Sequence, residues 1–498
     1  MIPTFMGLNT MTLALAAQQA SQNTTGHNMA NANTDGYSRQ RANLATTYPV
    51  TLYQGGGPLK VGTGVQVQSV TRARDSYIDM QYRQQNSSKS FWEDQASTFT
   101  QLEQIFHDGK VGTQVVGIQA GINNFWTSLG TLAADPTSVG ARTNVREMAN
   151  ALVQTLKQDS DHLRALANDL TTQIATQVDN INNIAQQIAS LNKQISAQES
   201  TGTIANDLRD QRDLLVDKLS DIANIQVYED SSHNYQVQAG GVTLVLGDTA
   251  IPMTVTAERN TKYSFDTSTV IEANGLPGTI KFTSGKLASM IQMRDQTITG
   301  YLDSIDKMAQ FLMQDFNNQH KQGLDNTTPA VPGTHGDNFF GVTGEDYTAY
   351  TPATCWLDEL EVNKDFYTDT GLDKIAARDA GSAGLDEGTN AQRLADVLKK
   401  TPDPLPSPPN ALGNLSLLDY YSTIIGTLGV QSQQASNMAT NQGVLVSSTQ
   451  NWRESISGVN MDEEMSNMIR FQKAYGAAAN VVATMNSMLD TLINRMVG

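Results

Sequence analysis

Between Met468 and Met496 an apolar or aromatic residue returns every seven positions, at Met468, Tyr475, Val482, Leu489 and Met496. Phe471, Ala478, Met485 and Leu492 interleave as a second row, and none of these nine positions carries a charge. The pattern predicts a helix over about 461–496 with one narrow seam. Such a seam has to be covered by another helix, because left open it would drive aggregation.

The opposite end of the chain supplies a matching pattern. Met6, Thr10, Leu13, Ala17, Ala20 and Thr24 recur by threes and fours and predict a helix over about 4–33. Its seam residues are small, so alone this helix would be marginal in water. Asn31-Ala-Asn33 and Gly36 before Tyr37 tolerate positive φ and predict its end.

Between the ends, helix is predicted from about Ser76 to residue 223, with breaks near Asp108-Gly109 and Asp135-Pro136. Within it Ile174, Ile181, Ile188 and Ile195 fall every seven residues, with Val178, Ala185, Ile184 and Leu191 alongside, a coiled-coil-like stripe expected to face a partner helix. Val65–Val70 alternates with period two, and residues 225–282 read as strands divided by Gly-Gly, Asn-Gly and Pro-Gly turns, the last strand at Thr279–Phe282. Helix returns over 284–321 and 415–451, and a Pro-rich linker occupies 401–409. The expected fold class is therefore mainly α with inserted β domains (α+β). Its elongated helical core pairs the terminal helices, and β-rich inserts lie outside. The expected division is 1–60 with 455–498, then 61–225 with 284–321 and 386–454, and two inserts at 226–283 and 322–385.

Composition removes several functions. The net charge is −17 over 498 residues, which disfavours nucleic acid and anionic membranes, both of which recruit Lys and Arg. No apolar run approaches the roughly 20 residues of a membrane helix. The first basic residue is Arg39, so the N-terminus lacks the charged region of a secretory signal, and an exported chain would leave with this end uncut. Cys355 is the single cysteine, which excludes an intrachain disulfide.

Asn28-Met-Ala-Asn-Ala-Asn-Thr-Asp-Gly-Tyr37 closely resembles the N-terminal signature of the flagellar rod, hook and hook-associated family, with Asp35 where that pattern usually has Pro and His27 where it has a small polar residue. Ser38-Arg-Gln40, Val61–Val67 with Arg72 and Arg74, Asp207–Leu219 and Ser455–Glu464 resemble its hook-associated members at the hook–filament junction. The resemblance implies a structural subunit of the flagellum that joins hook to filament and allows flagellin to assemble. It also implies an extracellular location, reached through the flagellar type III apparatus without a cleaved signal peptide. The implied partners are the hook protein, a second hook-associated junction protein and through it flagellin, further copies of this chain, and an export chaperone at the C-terminal helix. The residues expected to carry assembly are Met6, Leu13, Asn31, Asn33, Gly36, Tyr37, Met468, Phe471, Tyr475, Val482, Met485, Leu489 and Leu492.

Other groupings give bland readings. Asp210, Asp213, Asp217 and Asp221 share one helix face, but Arg209, Arg212 and Lys218 interleave, so a solvated face is expected. Gly62-Thr-Gly64 lacks the rest of a phosphate loop. Six scattered histidines show no metal-ligand spacing, and Cys355-Trp356 lacks the context of a catalytic thiol. Catalytic residues, cofactor and metal are expected to be none. The competing readings are a related hook, rod or filament-type axial subunit, and a secreted adhesin or enzyme carried on such ends.

Overall fold

The computed structural model describes residues 5–495, except 55–56, 107–109, 112–113, 231–234, 273–279, 327–334, 348–353, 382–383 and 401–410. The Pro-rich stretch, the Asn-Gly and Pro-Gly turns, Thr279 and Met496 lie outside the described residues. The chain opens with α1 (Met6–Ala30), followed by β1 (Gln40–Thr46), β2 (Val50–Gln54), β3 (Gly57–Val61) and β4 (Val65–Arg72). β1 pairs antiparallel with β4, and β2 with β3. Then come α2 (Ser76–Ile105), β5 (Lys110–Val111), β6 (Gln114–Val115), α3 (Ile118–Ala134) and α4 (Val139–Glu199). At 61 residues α4 is roughly 90 Å long and forms the spine of the molecule. The chain reverses at 200–205, where Gly202 takes φ +86°, into α5 (Asn206–Ile222). This reversal interrupts the continuous helix expected up to residue 223.

The β-rich stretch comprises β7 (Ile225–Glu229), β8 (Tyr235–Ala239), β9 (Val242–Leu246), β10 (Thr249–Ala250), β11 (Met253–Arg259) and β12 (Asp266–Glu272). The first four form one sheet in the order β10-β9-β8-β7, and β11 pairs with β12. The isoleucine stripe of α4 meets this β region as well as α5: Asn182 bonds the Met253 backbone on both sides, and Asn192 bonds Gly247. A heptad reports which face is apolar, and β strands cover such a face as well as a helix does. Ile280–Phe282 is irregular rather than a strand, tied by the Ile280 N–H to Val270.

A helical run follows: α6 (Lys286–Gln292), α7 (Thr299–Phe311) and α8 (Asn317–Gln322), joined by π-helical turns at Met293–Ile298 and Leu312–Phe316. Gly285 caps it with φ +88°, and a Cβ there would lie 2.5 Å from the Ile222 carbonyl oxygen. Gly285→Ala is therefore expected to cost about 2 kcal/mol, read as a lower urea midpoint. After α9 (Trp356–Glu359) come α10 (Thr389–Lys399), α11 (Leu417–Ser457) and α12 (Met461–Arg495).

Residues 335–347 and 354–377 lie against the helices. Asn317 receives the Phe339 and Phe340 N–H groups and donates to the Phe340 carbonyl, seating Phe339, Phe340 and Phe366 among Phe125 and Phe316. His320 is fully buried in this aromatic cluster, Nδ1 donating to the Asp337 carbonyl at 2.6 Å and Nε2 accepting the Ala376 N–H at 2.9 Å. Burial lowers its pKa from 6.5 to about 4. The unfolded chain takes up this proton below about pH 6.5 and the folded chain only near 4, so the stabilisation is complete above pH 6.5 and lost as pH falls. The expected loss between pH 7 and pH 5 is about 2 kcal/mol, measured by urea unfolding at both values. A flat profile across that window would contradict this assignment.

Candidate assembly site

The terminal helices pair antiparallel. Gly26 lies near Met468, and the position of a Cβ on Gly7 is 2.8 Å from Met485 Cε. α1 buries Ala17, Ser21, Thr25 and Asn28, so the seam drifts by one residue from the predicted Ala20 and Thr24, which are half-buried. Its hydroxyls need no partner on α12, because Thr10, Ser21 and Thr24 bond carbonyls four residues back. On α12, Met468, Phe471, Val482, Met485 and Leu489 are half-buried, Tyr475 is 37% exposed, and the Leu492 side chain is outside the described residues. Met6 and Leu13 are half-buried, Leu13 close to Gly64 of the 62–64 turn.

The turn after α1 fastens this pair to the body. Asn31 caps α1 through His27 and receives Thr34, while Asn33 is exposed on a cleft of about 1230 Å3 beside Arg453 and Gly458. Gly36 takes a φ of +77°, which side chains rarely adopt, and Leu214 also fills the space a Cβ would need. Asn28 makes four hydrogen bonds: its amide nitrogen donates to the Gln40 carbonyl and Glu464, and its oxygen accepts from the Gln40 N–H and the Tyr37 hydroxyl. Burial and the carboxylates of Asp207, Asp210 and Glu464 push the Tyr37 hydroxyl pKa well above its ordinary value, so it stays a donor.

Arg39 spans the gap to α12. Its Nε and Nη2 reach Glu464, only 2% exposed, at 2.8 and 2.7 Å, its outer nitrogens hold Glu463, and its backbone N–H bonds the Ser457 carbonyl. Asn460 caps α12 through the Asp462 and Glu463 N–H groups, and the acidic first turn suits the positive end of the helix. Ser38 donates twice to Asp210, both at 2.8 Å, and Gln40 reaches Asp207, which secures the same strand to α5.

Behind this lies a buried set of ions. Arg72 contacts Asp210 and Asp213 at 2.7 and 2.8 Å, and Arg74 contacts Asp79 and Asp213. Arg83 meets Asp217 at 2.7 Å and Asp213 at 3.6 Å, while Arg453 from α11 meets Asp217 at 2.6 Å and stacks on Tyr82. Four arginines thus face four aspartates, a neutral set drawn from β4, the segment after it, α2, α5 and α11. Burial pushes the Asp213 carboxyl up, but Arg74, Arg72, Arg83 and Arg212 together hold it well below the usual carboxylate range.

The solvated face expected for Asp210, Asp213 and Asp217 is thereby corrected: all three are buried, and Asp221 accepts from Ser90. Their ion-pair partners lie 130 residues or more away in sequence, so helical spacing alone gave no sign of them. Asn28, Arg39, Arg83, Arg453 and Glu464 were likewise not singled out, although most fall inside the stretches that carry the family resemblance. Those stretches, distant in sequence, meet in this one hub. Its charges are mutually neutralised and hydrogen-bonded, an arrangement that holds segments together. Elsewhere, burial raises the Cys355 thiol to about 11, away from a reactive thiolate. Among the described residues no group of three His, Cys, Asp or Glu side chains could hold a metal ion, and no helix is long and apolar enough to cross a membrane.

Antiparallel terminal helices clamped to an inserted body make up the site, and similarity to known proteins places such a chain among flagellar axial subunits. Residues 453–496 match the model for the C-terminal part of flagellar basal body rod FlgEFG proteins, and residues 99–340 match that of the flagellar hook-associated protein FlgK helical domain. The chain is 33% identical to flagellar hook-associated protein 1 of Bacillus subtilis (strain 168), over 100% of its own length and 99% of the relative's. The relative of the same name in Escherichia coli (strain K12) is 29% identical over 98% and 99%. The chain belongs to the flagellar hook-associated protein 1 family. The flagellar hook junction protein FlgK from Burkholderia pseudomallei shares the fold, with a TM-score of 0.60 at 17% identity over 77% of this chain and 100% of that one.

Proposed function

We propose that this chain is a non-enzymatic structural subunit of the flagellum that joins the hook to the filament and permits flagellin to assemble. The observation that carries the reading is the clamp: Asn28 and Arg39 hold Glu464 of α12, while Ser38 and Gln40 hold Asp210 and Asp207 of α5, which makes the α1–α12 pair continuous with the body and so lets it transmit load. Residues 1–60 with 455–498 form the assembly segment. It contacts the hook protein on one side, and on the other a second hook-associated junction protein and through it flagellin. Further copies of the chain complete the ring.

The seam of α12 around Met468, Phe471, Val482 and Met485 is the surface an export chaperone would cover before secretion, when α1 is not yet in place. Export then proceeds without a cleaved signal peptide, to an extracellular position on the flagellum. Purified chain added to isolated bare hooks is expected to form a collar at their distal ends in electron micrographs. Undecorated hooks at saturating protein would contradict the reading.

A further inference from the structure

Arg83, Asn206, Arg212 and Tyr235 share a property that the clamp does not explain. Each is at most 9% exposed, yet each keeps one polar atom without a hydrogen-bond partner: Arg83 Nη2, Asn206 Oδ1, Arg212 Nε and the Tyr235 hydroxyl. All four line a single cleft of about 1050 Å3 between α2, α5 and β7. Buried polar atoms are ordinarily paired, so four orphans around one opening mark a place where a ligand supplies the partners.

The wall of this cleft indicates what kind of ligand. All five residues of β7, Ile225–Glu229, border it. β7 is the outer strand of its sheet and pairs on one flank only, with β8, among the described residues. An unpaired strand edge is a template for another strand. Each of the five arginines that line the cleft already faces a carboxylate, so it is the open donor positions of Arg83, Arg212 and Tyr235 that call for an anionic group. Tyr77, Met80 and Tyr228 stand more than half exposed along its rim.

We infer that this cleft binds an extended acidic segment of a partner protein, which adds a strand to the free edge of β7 and sets a carboxylate among Arg83, Arg212 and Tyr235. Arg83 Nη2, Arg212 Nε and the Tyr235 hydroxyl donate to the carboxylate, and Asn206 Oδ1 accepts a backbone N–H of the incoming segment. The Arg212 guanidinium lies 3.6 Å over the Tyr235 ring, which holds both donors in orientation. A small inorganic anion would satisfy the donors, but it would leave Asn206 Oδ1, the strand edge and the apolar rim unused. The inference does not depend on the hook–filament role.

The test uses the full chain and a fluorescent, end-capped heptapeptide of alternating valine and threonine with a central glutamate. Saturable binding below about 1 mM is expected, weakened about tenfold or more when the glutamate becomes glutamine or a proline enters the strand. Amide exchange over Gln226–Tyr228 should slow when the peptide is added. Tyr235→Phe should weaken binding several-fold while leaving Tm unchanged or higher, since it removes a hydroxyl unpaired in the free chain. Absence of binding up to that concentration would overturn the inference, as would equal affinity for the glutamate and glutamine peptides. Full displacement by inorganic phosphate with no change in exchange over β7 would overturn it in favour of a small-anion site.

Discussion

Asp213→Asn should lower the stability of the chain by about 4 kcal/mol, the largest loss expected from any single isosteric change. The substitution keeps the volume of the side chain, so no cavity is made. It removes the one carboxylate that faces Arg72, Arg74 and Arg83 at once, with Arg212 also acting on it. Removing one partner of a buried ion set leaves charges uncompensated, which costs about 3–5 kcal/mol. Guanidinium unfolding checks this, and a loss below about 1 kcal/mol would show that water reaches the set. Adding Arg83→Met should return part of the loss, because the surplus cation is then gone. Such non-additivity is the signature of groups that share a network.

Met485→Glu should abolish assembly while leaving the body folded. Met485 packs against the backbone of Gly7, where there is no side chain to yield. The first basic residue of the chain is Arg39, so α1 offers no lysine or arginine to pair with the new carboxylate. Burying an unpaired charge there costs several kcal/mol, and about 3 kcal/mol already lowers the pairing constant roughly a hundredfold. The apolar core of α2–α4, α7 and α11 lies elsewhere and should melt unchanged. The double variant with Leu492→Glu should likewise fail to assemble. The check is complementation of a strain lacking this chain, with a thermal melt of the purified variant. Normal filaments from the double variant would refute the role given to the terminal pair.

How much of this was legible in the sequence depended on the range of the signal. The α12 heptad and the α1 seam are local periodicities, so both helices were readable along with their need for partners. The strands from β7 to β9 were readable from alternation and turn residues. The stripe Ile174–Ile195 gave its buried face correctly, yet it carried no record that β strands would cover much of it. The π-helical turns at Met293–Ile298 and Leu312–Phe316 leave the apolar pattern nearly intact and were invisible. The aspartate face of α5 misled for a related reason. Carboxylates at helical spacing look solvated unless their cations are known, and Arg72, Arg74, Arg83 and Arg453 arrive from three other parts of the chain. The resemblance marked the stretches that form the hub, but only the structure showed that Ser38, Arg39, Asp210 and Glu464 meet in it.

The most direct measurement of the central claim is electron microscopy of cells lacking this chain, with flagellin assayed in the medium. Bare hooks on the cell surface together with flagellin shed as monomer are the predicted result. Filaments of normal length on those cells would contradict the junction role.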